Sequence, residues 1–123
     1  MRSYRNLDIW QKGIEILKVV YQLSDQFPES EKYGLTAQLR RAVISILANI
    51  AEGSGRNSNQ QMVNFLSISK GSAYEVEAQL IIAYELNFIS VNELEIVLEM
   101  IDHYCRMNQN FQNYLTKNTN GSK

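Results

Sequence analysis

The stretch Leu35-Thr36-Ala37-Gln38-Leu39-Arg40-Arg41-Ala42-Val43-Ile44-Ser45-Ile46-Leu47-Ala48-Asn49-Ile50-Ala51-Glu52-Gly53 decides the fold. Leu35, Leu39, Val43, Ile46 and Ile50 recur every three or four positions, the repeat of one helical face and not the alternation of a strand. Gln38, Arg41, Ser45, Asn49 and Glu52 fall within about 80° of one another on the opposite side, at 100° per residue. Gly53-Ser54-Gly55 then breaks the pattern. This is an amphipathic helix of five turns.

The same logic runs outward in both directions. Upstream, Asp25-Gln26-Phe27-Pro28-Glu29-Ser30 holds the single proline and ends a first periodic stretch. Downstream, Ser58-Asn59-Gln60-Gln61 and Ser90-Val91-Asn92-Glu93 each place a hydroxyl three residues before Gln or Glu, the pattern of a capping box. Asn87-Phe88-Ile89-Ser90 marks the break between them. Helices are predicted near 6–25, 35–53, 59–86 and 91–115, with a polar tail over 116–123. Short loops make successive helices neighbours, so the expected fold is all-α, an antiparallel up-down-up-down four-helix bundle forming a single domain over 1–123. The expected core stripe of the first helix is Leu7, Trp10, Ile14, Leu17 and Tyr21. That of the third is Met62, Phe65, Leu66, Ala73, Val76, Leu80 and Tyr84. The fourth contributes Leu94, Val97, Ile101, Tyr104, Phe111 and Leu115.

Composition is consistent with one core. The chain has 123 residues, 45% hydrophobic and 20% charged, which excludes wholesale disorder. Twelve Lys and Arg against thirteen Asp and Glu leave a formal charge of −1, without the overall basic character of a dedicated nucleic-acid binder. The charge is uneven, however: residues 1–70 carry nine basic and six acidic groups, and residues 71–123 three and seven. One cysteine, Cys105, excludes an internal disulfide, and no apolar run approaches the roughly 18 residues of a membrane span. The start Met1-Arg2-Ser3-Tyr4-Arg5 opens no signal-peptide pattern, so the expected location is the cytoplasm, away from membranes.

Three helices carry more apolar residues than one core needs. Ile9, Ile16, Val20 and Leu23 form a second stripe on the first helix, and Val63, Tyr74 and Ile81 lie 60–80° off the main stripe of the third at 100° per residue. Ile68, Ile82 and Leu86 lie further round, while Ile44 and Leu47 widen the arc of the second. Ordered second stripes favour a subunit interface made of Ile9, Ile16, Leu23, Val63, Tyr74 and Ile81, closed by symmetry into a homo-oligomer. Arg40 falls inside the apolar arc, where its guanidinium needs a carboxylate, a carbonyl or a phosphate. Gly71 sits in mid-helix, where it costs about 1 kcal/mol relative to Ala; close approach of another backbone is the expected reason. Gln38, Arg41, Asn49, Glu52 and Glu75 are expected to join in a structural polar network.

Chemistry-bearing patterns are few. His103 is alone, without a second histidine or a Glu-x-x-His arrangement, so neither a metal site nor any cofactor is expected. Cys105 falls on the core stripe as a small hydrophobe. Gly53-Ser54-Gly55-Arg56 lacks the Gly-Lys-Ser/Thr ending of a phosphate loop and follows a helix instead of a strand. No catalytic residues are assigned, and an enzyme is not expected.

Several spaced motifs arrive together: Leu7-Asp8-Ile9-Trp10-Gln11-Lys12, then Phe27-Pro28 followed by Glu31, Tyr33-Gly34-Leu35-Thr36 and Gln38-Leu39-Arg40-Arg41-Ala42. Ser45-Ile46, Asn49-Ile50-Ala51-Glu52-Gly53 and Phe65-Leu66, Ile68, Gly71-Ser72, Glu75 continue the series. Over about residues 5–90 the chain resembles the bacterial four-helix bundle family encoded in intervening sequences of 23S ribosomal RNA genes. Leu47 stands where that family commonly has proline, the residue that would kink the helix. The resemblance implies a left-handed antiparallel bundle assembled as a homopentamer. It also implies similarity to accessory proteins of diversity-generating retroelements, which act with a reverse transcriptase and RNA.

Two functional expectations follow. One is a non-catalytic ring that binds RNA or DNA, or serves a nucleic-acid enzyme, through Arg2, Arg5, Lys12, Arg40, Arg41 and Arg56. The other is a protein-interaction scaffold whose arginines are engaged within and between subunits.

Overall fold

The computed structural model describes residues 3–121, with side chains through residue 118. Four helices account for most of it: α1 (Asp8–Ser24), α2 (Leu35–Ser54), α3 (Asn59–Glu85) and α4 (Val91–Gly121). Single 3-10 turns lie at Tyr4–Asn6 and Glu29–Glu31. The fourth helix runs past the end expected near 115, because the polar segment after Leu115 contains neither proline nor an internal glycine before Gly121 to stop it.

Each boundary has a local cause. The Ser58 hydroxyl accepts from the Gln61 N–H at 3.1 Å and starts α3. At α4 the exchange is reciprocal: Glu93 N–H donates to Ser90 Oγ at 3.1 Å, and Ser90 N–H donates to Glu93 Oε1 at 2.9 Å. The start of α2 is served from the preceding turn, where Glu31 Oε1 accepts from the Leu35 N–H at 3.0 Å. α3 ends with Asn87 at φ 65, Phe88 N–H on the Ala83 carbonyl and Asn87 N–H on that of Tyr84. That pairing satisfies two otherwise orphaned carbonyls. α2 passes through Leu47 as one helix.

The helices sit at four corners: α1 packs on α2 and α4, α3 packs on α2 and α4, and among the described residues the backbones of the diagonal pairs do not come as close. Partner numbers fall along one helix as they rise along its neighbour. Gly13 meets Leu47 while Ser24 meets Arg40; Gly53 meets Met62 while Ser45 meets Ser72; Leu66 meets Asn108 while Asn59 meets Leu115. The centre is apolar, with Ile16, Leu39, Ile46, Leu66, Leu80 and Ile101 fully buried, each stabilising by about 1.5–3 kcal/mol.

The two stripes of α1 are exchanged relative to expectation. Ile9, Ile16 and Leu23, expected between subunits, are buried in the chain's own core together with Val20. Leu7, Trp10, Leu17 and Tyr21, expected inside, are only partly buried. Gly13 explains the exchange. It lies on the buried stripe, so α1 approaches α2 there with Leu47 covering it. The same glycine lowers the apolar content by which a sequence ranks that face.

A second correction concerns glycine in α3. A Cβ on Gly71 would meet nothing within 4 Å, so no backbone approaches it within the chain. The close approach occurs at Gly53, a buried residue inside the last turn of α2. A Cβ there would lie 2.7 Å from Met62 Sδ and 2.9 Å from Phe65 Cβ.

Candidate interaction surfaces

The basic residues do not form one surface. Arg40 is satisfied within the chain: its Nε donates to Ser24 Oγ and its Nη2 to Asp25 Oδ1, both at 2.9 Å, with the Tyr21 ring 4.5 Å away. The carboxylate it needed therefore comes from the end of α1, so a phosphate is not required to explain it. Lys12 pairs with Glu15 at 3.6 Å on the side of α1 facing α4. Arg56 pairs with Glu52 at 2.6 Å and stacks over Phe65 at 4.9 Å. Arg5 is exposed, and its carbonyl accepts from Gln11 Nε2. Arg41 is exposed on α2, and Arg2 lies outside the described residues. Arg5 and Arg56 share the end of the bundle holding the α2–α3 turn. Arg40 and Arg41 lie roughly 20 Å away along α2, at 1.5 Å per residue.

The expected polar network separates into three parts. Asn49 Nδ2 donates to the Ser45 carbonyl at 2.8 Å and to Ser45 Oγ at 3.0 Å, and Ser45 reaches Ser72 of α3 at 2.9 Å. Glu52 turns away to Arg56 and is exposed. Gln38, Arg41 and Glu75 line an open cleft with Ser45, but no hydrogen bond or ion pair joins Arg41 to Glu75. The Glu52 carboxylate pairs with an arginine four residues on, in the turn just past α2, instead of crossing the seam.

The buried polar network lies elsewhere, between α3 and α4. Tyr104 OH and Ser69 Oγ are 2.5 Å apart, and Ser69 Oγ donates to the Ile46 carbonyl at 2.7 Å. The Ser69 proton goes to Ile46, so Tyr104 donates to Ser69. Asn108 Nδ2 donates to the Leu66 carbonyl at 3.0 Å and Gln112 Nε2 to Asn108 Oδ1 at 2.7 Å. The signal for it was present as Tyr104, Asn108 and Gln112, spaced four apart along an otherwise apolar stripe. Burial raises the Tyr104 hydroxyl above its ordinary pKa. Burial likewise pushes the Cys105 thiol up, keeping it protonated beside Tyr74. His103 is exposed, and no group of three or more His, Cys, Asp or Glu able to hold a metal occurs among the described residues. Among the described residues no helix is long and apolar enough to cross a membrane.

Of the expected interface residues on α3, Val63 is half-buried against the core, whereas Tyr74 and Ile81 are 51% and 39% exposed. They share the outer face of α3 with Ile68, Ile82 and Leu86, all near half-exposed, and with the open Gly71. Ile44 is exposed on neighbouring α2. At the end of the bundle, a cleft of about 290 Å³ is lined by Ser3, Tyr4, Arg56, Asn57, Ser58 and Asn59 over a floor that includes Leu7, Met62 and Phe111.

A solved structure of a protein of unknown function from the S23 ribosomal protein family of Bacteroides thetaiotaomicron has a similar fold. It superimposes with a TM-score of 0.77 over 85% of this chain and 97% of that one, at 21% identity. No curated protein matches the chain. The sequence pattern of the 23S rRNA-intervening sequence proteins matches residues 5–110, through all four helices. The conjunction of that match with the four-cornered bundle places the chain in the 23S rRNA-intervening sequence protein family.

Proposed function

We propose that the protein is a non-catalytic subunit of a homo-oligomer, five copies being the number the family resemblance implies, and that the assembly serves as a binding module. The outer face of α3 carries this reading. Ile68, Tyr74, Ile81, Ile82 and Leu86 crowd one side of a helix whose opposite side already fills the core. Ordered exposed apolar faces of this kind mark association sites. Gly71 supports the same reading, since a glycine in mid-helix with open space around it admits a neighbour's side chain or backbone. Light scattering at micromolar concentration should give a mass several times 14.2 kDa. Ile82→Asp should return that mass to one chain with its helix content unchanged. A monomeric wild-type protein would overturn the assignment.

A second reading, contact with RNA or DNA, alone or beside a nucleic-acid enzyme such as a reverse transcriptase, is favoured by the placement of Arg5 and Arg56 at the same end of the bundle. Phosphate contacts make affinity fall steeply with log[salt]. Charge reversal at Arg5 and Arg56 should weaken RNA binding irrespective of sequence and flatten that slope. Failure to retain RNA at low salt would leave a protein-interaction scaffold, in keeping with the carboxylate partners of Lys12, Arg40, Arg56 and Arg106.

A further inference from the structure

The end cleft combines three kinds of group in one concavity. Its rim is made of hydroxyls and amides, from Ser3, Ser54, Ser58, Asn57 and Asn59. Arg56 supplies a guanidinium, and Tyr4 and Phe111 supply aromatic rings beside Leu7 and Met62. No carboxylate belongs to the lining, although acidic residues outnumber basic ones in the whole chain.

Arg56 is held in place for this role. Its Nη2 donates to Glu52 and its Cζ lies 4.9 Å from the centre of the Phe65 ring, which holds the group while leaving most of its five N–H donors for a ligand. The first turn of α3 adds positive potential to the same wall. It contains no acidic side chain, and Ser58 takes up only the Gln61 and Met62 N–H groups. The volume, about 290 Å³, lies just below the usual range of ligand clefts, about 300–1,000 Å³, which suits one small ring-bearing ligand.

We propose that this cleft binds a nucleoside 5′-phosphate, with the phosphate on Arg56 and the Asn57–Asn59 rim and the base against Tyr4 and Phe111. Stacking on aromatic rings recognises any base, because every base has a π-face. The assignment deepens the nucleic-acid reading and rests on it: the same unit is presented by a free mononucleotide and by the phosphorylated end of a strand.

Amide chemical-shift titration of the intact protein tests this with AMP, adenosine, inorganic phosphate, and one short RNA carrying either a 5′-phosphate or a 5′-hydroxyl. AMP should give saturable shifts at Asn57, Ser58, Asn59 and Met62, and the 5′-phosphorylated RNA should reproduce them if a strand end is the source. Adenosine and inorganic phosphate should each bind about tenfold or more weakly than AMP, since each lacks one half of the contacts. Asn57→Asp, at an exposed turn position, should weaken AMP binding by about tenfold by placing a like charge at the phosphate. Arg56→Gln provides a second route to the same loss, and Lys32→Gln, exposed in the α1–α2 connection away from the cleft, should change nothing. Inorganic phosphate matching AMP, or the absence of saturable shifts at the cleft with AMP, would overturn the assignment. RNA that binds equally well to Asn57→Asp and shifts other residues would remove the cleft while leaving the nucleic-acid reading intact; loss of all RNA binding at low salt would remove both.

Discussion

Gly53 and Phe65 lie so close that a Cβ on the first would stand 2.9 Å from the Cβ of the second. The neighbouring atom is anchored to the α3 backbone and cannot swing aside, so α2 and α3 are held together here by the absence of a side chain. Gly53→Ala should therefore destabilise by about 1–3 kcal/mol through overpacking, despite alanine's better helix propensity. Gly71→Ala, with open space around it, should stabilise the isolated fold by about 0.5–1 kcal/mol. Urea unfolding of both variants reads the contrast in sign. An equal effect at the two sites would contradict the packing described for Gly53.

Ile16→Glu should unfold the chain. Ile16 is fully buried at the centre of the bundle, and an unpaired carboxylate there costs several kcal/mol, roughly 3–5 by comparison with broken buried pairs. Circular dichroism should show loss of helix. Retained helicity with a smaller mass would instead restore Ile16 to a subunit interface.

Asn108→Leu should cost more than Tyr104→Phe. The first leaves the Gln112 side-chain amide without its acceptor in the interior, a loss of about 1–3 kcal/mol, and takes from the Leu66 carbonyl the bond it accepts beyond its helical one. The second leaves Ser69 on the Ile46 carbonyl and Asn108 on that of Leu66, so about 1 kcal/mol is expected. Thermal unfolding at one pH orders the two.

Stability should fall at alkaline pH in a way that Tyr104→Phe flattens. Burial holds the Tyr104 hydroxyl above its ordinary value of 10.0, so its contribution is complete below the unfolded pKa and disappears as pH rises through the folded one. Tyr74 and Cys105 shift in the same direction, and subtracting the variant's profile isolates Tyr104. Identical alkaline limbs would show that the hydroxyl is not desolvated.

At acid pH the relevant group is Glu93, held below the usual carboxylate range by the Ser90 backbone N–H and by Gln26. Its contribution is present above the unfolded pKa and is lost as pH falls through the folded value. Ser90→Ala should cost about 1 kcal/mol at neutral pH, measured by denaturant midpoint, and Glu93→Gln should make the acid limb less steep.

Periodicity and breaks determined the four helices, their order and most of the core, because each of those depends on spacing along one chain segment. Leu39, Val43, Ile46 and Ile50 could face only one way, since the other side of α2 carries Gln38, Arg41 and Glu52. The two capping boxes were equally local, a hydroxyl and its partner three residues on. Tertiary structure alone decided which of two apolar stripes on α1 turns inward. Gly13 contributes no apolar area to a sequence ranking, yet it permits the close approach to Leu47. The same reason separates Gly53 from Gly71: identical residues, one beneath another helix and one facing open space. It also dispersed the basic residues, because Arg40 found Ser24 and Asp25 across a helix pair while Arg56 found Glu52 one turn away. Spacing within a helix is written in the sequence, whereas contact between helices depends on which faces meet.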